Sequence, residues 1–193
     1  MTSSNGSIML ILSSPSGAGK TTLTKKIQQK YQNFKISVSH TTRISRSNEV
    51  EGIDYFFINH KEFEKKINNE DFYECAKIFD NYYGTSKDSV NKLLQGNNDI
   101  LFDIDWQGTQ KLSKFKELKL IKIFLLPPNK EELKKRLIQR NQDDINIISK
   151  RLKAYDSDIC HWSDYDYVII NNSLEHCFSQ IEKIILSEKN KII

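Results

Sequence analysis

Ten consecutive residues concentrate the chemistry of this chain: Ser13-Ser14-Pro15-Ser16-Gly17-Ala18-Gly19-Lys20-Thr21-Thr22. An apolar run precedes them and a helix-forming segment follows. A strand, a glycine-bearing turn, Gly-Lys-Thr and a helix together make a phosphate-binding loop of the nucleoside triphosphate type. The residue types follow from the ligand. Gly17 and Gly19 permit positive φ and close approach, so that backbone N–H groups can wrap a phosphate. The helix start adds its dipole. Lys20 can reach β- and γ-phosphate oxygens, and the Thr21 hydroxyl can ligate Mg²⁺. Ser14, Pro15, Ser16, Ala18 and Thr22 complete the candidate ATP loop. Position 14 departs from the G-x-x-x-x-G-K-T pattern, carrying Ser where Gly is expected beside the rigid Pro15. Asp103, at the end of the apolar run 99–104, is the candidate second Mg²⁺ ligand, with helix capping as its alternative role.

The arginines stand out by scarcity. Of 29 basic residues only five are arginine: Arg43, Arg46, Arg136, Arg140 and Arg151. In a chain leaning toward Lys, Ile and Asn, an arginine marks a place where a planar, forked cation is needed. Arg136 and Arg140 are four apart and share a helix face, with Leu133 and Leu137 on a neighbouring stripe.

The elements that must position these groups can be read from hydrophobic periodicity. Residues 8–13 read as a buried strand and 20–31 as a helix with Leu23, Ile27 and Tyr31 on one stripe. Residues 35–39 alternate as a strand. From Arg43 to Ser86 the texture changes: short aromatic strands, 55–58 and 72–79, surround a helix over 61–69, as in an inserted lobe. Residues 89–95 read as helical. Runs 99–104 and 121–126 are buried strands, the second stopped by Pro127 and Pro128. Charged helices follow over 130–140 and 144–159, the second with Ile145, Ile148, Leu152 and Tyr155 in one stripe. A last strand spans 167–170, and Leu174, Phe178, Ile181 and Ile185 line a closing helix. Strands alternating with helices predict an α/β fold on a parallel sheet.

Four further segments complete the pattern: Ser39-His40-Thr41-Thr42-Arg43 followed by Arg46; Glu49-Val50-Glu51-Gly52-Ile53-Asp54-Tyr55; Asn81-Tyr82-Tyr83-Gly84-Thr85; and Asp103-Ile104-Asp105-Trp106-Gln107-Gly108. With the phosphate loop, this ordered set resembles the guanylate kinases over nearly the whole chain. The resemblance implies one domain, 1–193, with a P-loop NTPase-type parallel sheet flanked by helices as its core (7–37, 88–128 and 156–193). It further implies an inserted mixed α+β GMP-binding lobe (38–87) and a helical lid (129–155). It implies that Ser39, Arg43, Arg46, Tyr55 and Tyr83 hold the GMP phosphate and that Glu74, Thr85 and Asp105 read guanine. Arg136, Arg140 and Arg151 become lid arginines, catalytic together with Lys20 and Arg43, and Asn171 lies near the ATP base. The chemistry agrees. A phosphate dianion suits forked donors. Guanine offers N1–H and N2–H₂ donors to a carboxylate such as Glu74, whereas adenine presents an acceptor at N1. Thr85 can donate to guanine O6.

The implied reaction is transfer of the γ-phosphoryl group of MgATP to GMP, with dGMP as a further acceptor. A non-catalytic guanylate-kinase-like module gripping a phosphopeptide predicts loss of the loop lysine, against Lys20, Thr21 and Asp103. A kinase for another nucleotide or sugar phosphate predicts a changed base site, against Glu74, Thr85 and Asp105. ATP and GMP are the expected partners, with Mg²⁺ carried as MgATP. No basic run points to nucleic acid, and no apolar run reaches membrane length. The three cysteines lack a framework spacing and read as reduced thiols of a cytoplasmic protein. The four histidines show no metal spacing. The residue pattern does not choose between a monomer and a homo-oligomer.

Overall fold

The computed structural model describes residues 7–139 and 145–191. Its elements, in chain order, begin with β1 (Met9–Ser13), α1 (Lys20–Lys30), β2 (Phe34–Ile36), β3 (His40–Thr41) and β4 (Phe56–Phe57). Next come α2 (His60–Asn68), β5 (Phe72–Ile78), β6 (Asn81–Ser86), α3 (Lys87–Gln95), β7 (Asp99–Asp103) and α4 (Trp106–Leu112). The chain continues through β8 (Leu120–Leu126), α5 (Lys130–Gln139), α6 (Ile145–Ile159), β9 (Tyr167–Ile170) and α7 (Leu174–Asn190). Among the described residues no helix is long and apolar enough to cross a membrane.

The larger sheet has the order β2-β7-β1-β8-β9, with every neighbouring pair parallel. β1 sits at its centre and is buried along its whole length, which is why it reads as an unbroken apolar run rather than an alternating one. Its side chains divide by parity. Leu10 and Leu12 join Leu23 and Ile27 of α1 and Cys177, Ile181 and Ile185 of α7. Met9 and Ile11 join Val90 of α3, Phe102 of β7 and Leu112 of α4. Helices therefore cover both faces, and the carboxyl ends of β1 and β7 converge where Lys20 and Asp103 lie.

The smaller sheet has the order β4-β3-β6-β5. Residues 81–86 have little apolar content and did not declare a strand, yet β6 pairs antiparallel with both β5 and β3. Phe79, at φ 54°, turns the chain between β5 and β6. The register shifts between Phe72 and Glu74, so that Glu74 stands opposite Thr85. Such a bulge re-aims a side chain, and here it puts a carboxylate and a hydroxyl on one face. β2 is shorter than the alternating run 35–39 because the chain leaves the sheet after a last bond from Ser37 N–H to the Leu101 carbonyl, 3.0 Å. The expected stripe on α6 is only partly realised: Ile148, Leu152 and Tyr155 are half-buried, but Ile145 is 83% exposed and α6 has no fully buried residue.

The phosphate loop is held from outside. Gly17 and Gly19 have φ of 95° and 102°. A Cβ on Gly17 would lie 2.9 Å from Leu137 of α5, and one on Gly19 only 2.5 Å from the Asn171 amide nitrogen. Ser14 is not among the positive-φ residues, so its side chain is accommodated without strain at the position where the pattern carries glycine. Gly19→Ala should accordingly cost about 1–3 kcal/mol of stability, from a left-handed φ plus a close approach. Ser14→Gly should cost less than about 1 kcal/mol. Thermal unfolding of the two variants checks the pair, and equal losses would contradict this loop geometry.

Candidate active site

The loop, the smaller sheet and the helices α5 and α6 enclose a cavity of about 670 Å³. Its floor is Ser14, Pro15, Ser16, Gly17, Gly19, Lys20, Thr21 and Thr22, with Asp103 beside them. Ser39, Arg43, Arg46, Tyr55, Glu74 and Tyr83 form one wall, Arg136 and Arg151 the other, and Asp105 lies between. All four described arginines line this one cavity, and Lys20 is the only lysine in the lining. Arg140 lies outside the described residues.

Each cation already has an acceptor. The Lys20 ammonium pairs with Asp103, whose second oxygen lies 3.3 Å from the Thr24 hydroxyl. Arg43 donates to Glu49 Oε1 at 2.7 Å and to the Ile44 carbonyl at 2.9 Å, with its guanidinium 5.3 Å from the Tyr55 ring centre. Glu49 also accepts the Arg46 backbone N–H at 2.9 Å and lies 3.5 Å from the Arg46 guanidinium. Arg136 pairs with Glu132 at 3.3 Å and donates to the Asn171 carbonyl at 3.1 Å. Arg151 donates to the Ser16 hydroxyl in the loop. The Tyr55 hydroxyl is buried near Asp103, Tyr83 and Arg43, and burial holds its pKa above the usual phenol value.

The far end of the cavity is acidic. Glu74 is 5% exposed, and Thr85 donates to its Oε1 at 2.6 Å. The Glu74 carboxyl is pushed up to about 7, chiefly by burial and in part by Asp105, against the opposing pull of the Thr85 hydroxyl and Lys111. Asp105 caps α4 by accepting from Gly108 N–H at 2.9 Å, and burial raises its pKa despite that bond. A Cβ at Gly108 would lie 2.9 Å from Glu74 Oε2, so the first turn of α4 abuts the carboxylate directly.

Three expected site residues stand behind the lining rather than in it. Thr85 is fully buried, and its hydroxyl donates to Glu74, so its one hydrogen is engaged by that carboxylate. Asn171 is 3% exposed; its side-chain amide donates to the Ala18 carbonyl at 2.8 Å while its main-chain carbonyl accepts from Arg136. It ties the loop to α5 instead of lining a base pocket. Ala18 is itself buried. Residue reading missed Glu49, although a carboxylate three and six residues from two scarce arginines is a signal that was available. It also missed Ala76, Ile78, Phe79, Trp106 and Asp158 in the lining.

Thr21 and Asp103 offer hard oxygen donors beside the loop. Among the described residues no group of three or more His, Cys, Asp or Glu could hold a metal ion. That suits Mg²⁺, which commonly takes one or two protein oxygens and completes its shell with water and substrate phosphates.

The guanylate kinase family model matches residues 7–188. A guanylate kinase of Novosphingobium aromaticivorans is 43% identical over 182 residues, covering 94% of this chain and 82% of that protein. Another, of Paramagnetospirillum magneticum, is 40% identical over 190 residues, covering 98% and 89%. The crystal structure of guanylate kinase from Anaplasma phagocytophilum superposes with a TM-score of 0.79 at 34% identity, covering 96% of this chain and 87% of that one. With loop, arginines and acidic pocket in one cavity and this likeness over nearly its full length, the chain belongs to the guanylate kinase family.

Proposed function

We propose that this protein transfers the γ-phosphoryl group of MgATP to GMP, giving ADP and GDP. The observation that carries the reading is the convergence of Lys20, four arginines and the buried Glu74 carboxylate on one cavity. In this reading residues 38–87 form the acceptor lobe and 129–155 the lid. The three cysteines are unpaired, in keeping with a cytoplasmic enzyme.

ATP phosphates would be cradled by the backbone N–H groups of residues 16–22 and the start of α1. Lys20 exchanges its Asp103 partner for β- and γ-phosphate oxygens. Mg²⁺, held by Thr21 and Asp103, would supply positive charge at the same phosphates. Arg43, Arg46 and the hydroxyls of Ser39, Tyr55 and Tyr83 hold the GMP phosphate. Glu74, as carboxylate, accepts from guanine N1–H and N2–H₂, with Thr85 fixing its angle and Asp105 beside it. A GMP phosphate oxygen then bonds to the γ-phosphorus as the bond to the ADP oxygen breaks. The attacking oxygen is already anionic, so no strong general base is needed. Catalysis is alignment plus charge neutralisation by Lys20, Arg136 and Arg151, with Arg140 proposed to join them. A phosphopeptide-binding module would have no use for a loop lysine paired with a strand-end aspartate.

Lys20→Ala should lower GMP phosphorylation by about 10³-fold or more, since its charge acts chiefly in the transition state. Steady-state rates check this, and near-normal turnover would overturn the loop assignment.

Only the Glu74 carboxylate form can accept from both guanine donors. The Michaelis constant for GMP should therefore climb as pH falls below about 7, approaching tenfold per unit, while that for ATP stays flat. Glu74→Gln should abolish this slope and weaken GMP use by roughly 2–3 kcal/mol. The stability of the ligand-free protein responds in the opposite sense. A carboxyl whose pKa is raised on folding favours the fold most below its unfolded value, and this contribution disappears as pH rises through about 7. At pH about 8 Glu74→Gln should thus melt higher than the wild type while using GMP worse. A lower melting temperature with unchanged GMP kinetics would make Glu74 structural.

Lysine can replace charge but not the planar fork. Arg43→Lys should raise the Michaelis constant for GMP, because Arg43 holds the acceptor in ground and transition states alike. Arg136→Lys should lower turnover more than GMP binding. A change confined to the Michaelis constant in both variants would make the arginines a single substrate clamp.

A further inference from the structure

α6 carries Arg151 to the phosphate loop, yet none of its residues is fully buried. Its placement must come from a few directed contacts. One group of these lies at its C-terminal end. Asp158 lines the cavity and accepts the Trp106 indole N–H at Oδ1, 3.1 Å. Trp106 stacks on His161 in the 3₁₀ turn that continues α6, ring centres 3.7 Å apart and planes 10° from parallel. Gln110, one turn further along α4, donates to Asp164 at 3.0 Å. All three contacts join α4 to the end of α6.

Position gives these contacts their consequence. Trp106 is the first residue of α4, directly after its cap Asp105, and the same turn places Gly108 against Glu74. Asp158 is seven residues after Arg151, two helical turns, so both project from nearly the same face of α6; Ala154, between them, lines the cavity too. One rigid helix face therefore touches the phosphate loop at one point and the guanine-reading turn at another.

We propose that the Trp106–Asp158 hydrogen bond is a clasp that fixes α6 on the guanine-reading turn and thereby sets Arg151 on the ATP phosphates, which makes Asp158 a positioning residue. The inference rests on the reading of the cavity as an ATP:GMP phosphotransferase site. Its consequence is that GMP seated against Asp105 and Glu74 steadies the turn bearing Trp106, and that this steadying is passed to a transition-state arginine. The coupling needs an acceptor at position 158 and a donor at position 106, but no contact between Asp158 and GMP.

The test is a kinetic comparison of the full chain with Trp106→Phe, Asp158→Ala, Asp158→Asn and the Trp106→Phe/Asp158→Ala double variant, using MgATP and GMP, with melting temperatures measured alongside. Trp106→Phe keeps an aromatic ring to stack on His161 and removes the donor together with one ring, so its effect is judged against the double variant. Asp158→Asn keeps an acceptor oxygen. Trp106→Phe and Asp158→Ala should each lower turnover about tenfold or more, since misplacement by a fraction of an ångström is costly, with the GMP Michaelis constant within about threefold. The double variant should be no worse than the worse single, as expected of two ends of one bond, and Asp158→Asn should recover most of the turnover. A raised Michaelis constant for GMP in the Asp158 variants alone would mean that Asp158 touches the base, and overturns the clasp. Unchanged turnover, additive losses, or turnover losses that follow melting temperature without rescue by asparagine overturn it as well. A wild-type protein that does not phosphorylate GMP removes the underlying reading, and the clasp with it.

Discussion

A cavity built for phosphates must hold its cations close together before any phosphate arrives. Lys20, Arg43, Arg46, Arg136 and Arg151 share a space of about 670 Å³, and like charges so placed repel. The structure meets this by giving each an acceptor that does not leave the site: Asp103 for Lys20, Glu49 for Arg43 and Arg46, Glu132 and the Asn171 carbonyl for Arg136, and Ser16 for Arg151. These contacts orient the forks, and the carboxylates among them offset part of the charge, which matters because guanidinium recognition of phosphate is planar and bidentate. They also explain the second-layer residues. Asn171 accepts from Arg136 through its main-chain carbonyl and donates to the Ala18 carbonyl through its side-chain amide, so α5 and the loop are registered against one another by a buried residue.

The acidic end follows the opposite logic. Glu74 is held where burial favours its neutral form, and such a group costs stability when ionised. In the proposed reading the arrangement serves recognition, because a desolvated carboxylate gains most from the donors that guanine presents and loses most against an acceptor. The bulge in β5 that puts Glu74 opposite Thr85 and the capped first turn of α4 that abuts it are the structural means of holding that carboxylate at a fixed angle.

Register is what the residue pattern conveys least. Runs such as 8–13 and 99–104 announce themselves because strands buried on both faces must be apolar throughout, and α7 because Leu174, Phe178, Ile181 and Ile185 follow helical spacing, although the fully buried stripe is Cys177, Ile181 and Ile185. The phosphate-loop motif was legible too, and the scarce arginines drew notice because a forked cation admits few substitutes; the structure brings the four described ones to one cavity. β3 and β6 were not legible, because two residues carry no period and Asn81-Tyr82-Tyr83-Gly84-Thr85-Ser86 has no alternation to read. Thr85 and Asn171 were recognised as belonging to the site, but whether a side chain lines a cavity or braces what lines it depends on packing between segments 11 and 153 residues apart. Ile145 shows the converse: its spacing fits the α6 stripe, but among the described residues it is left 83% exposed.

The central claim is that one cavity aligns MgATP with a guanine monophosphate and with no other base. Steady-state transfer from MgATP to GMP, AMP, CMP and UMP, measured side by side with ADP and acceptor diphosphate both quantified, tests it directly. The account predicts ADP and GDP formed in equal amounts, with kcat/KM for GMP exceeding that for each other monophosphate by about 10³-fold or more. Comparable transfer to another monophosphate, or ADP released without any phosphorylated acceptor, would contradict it.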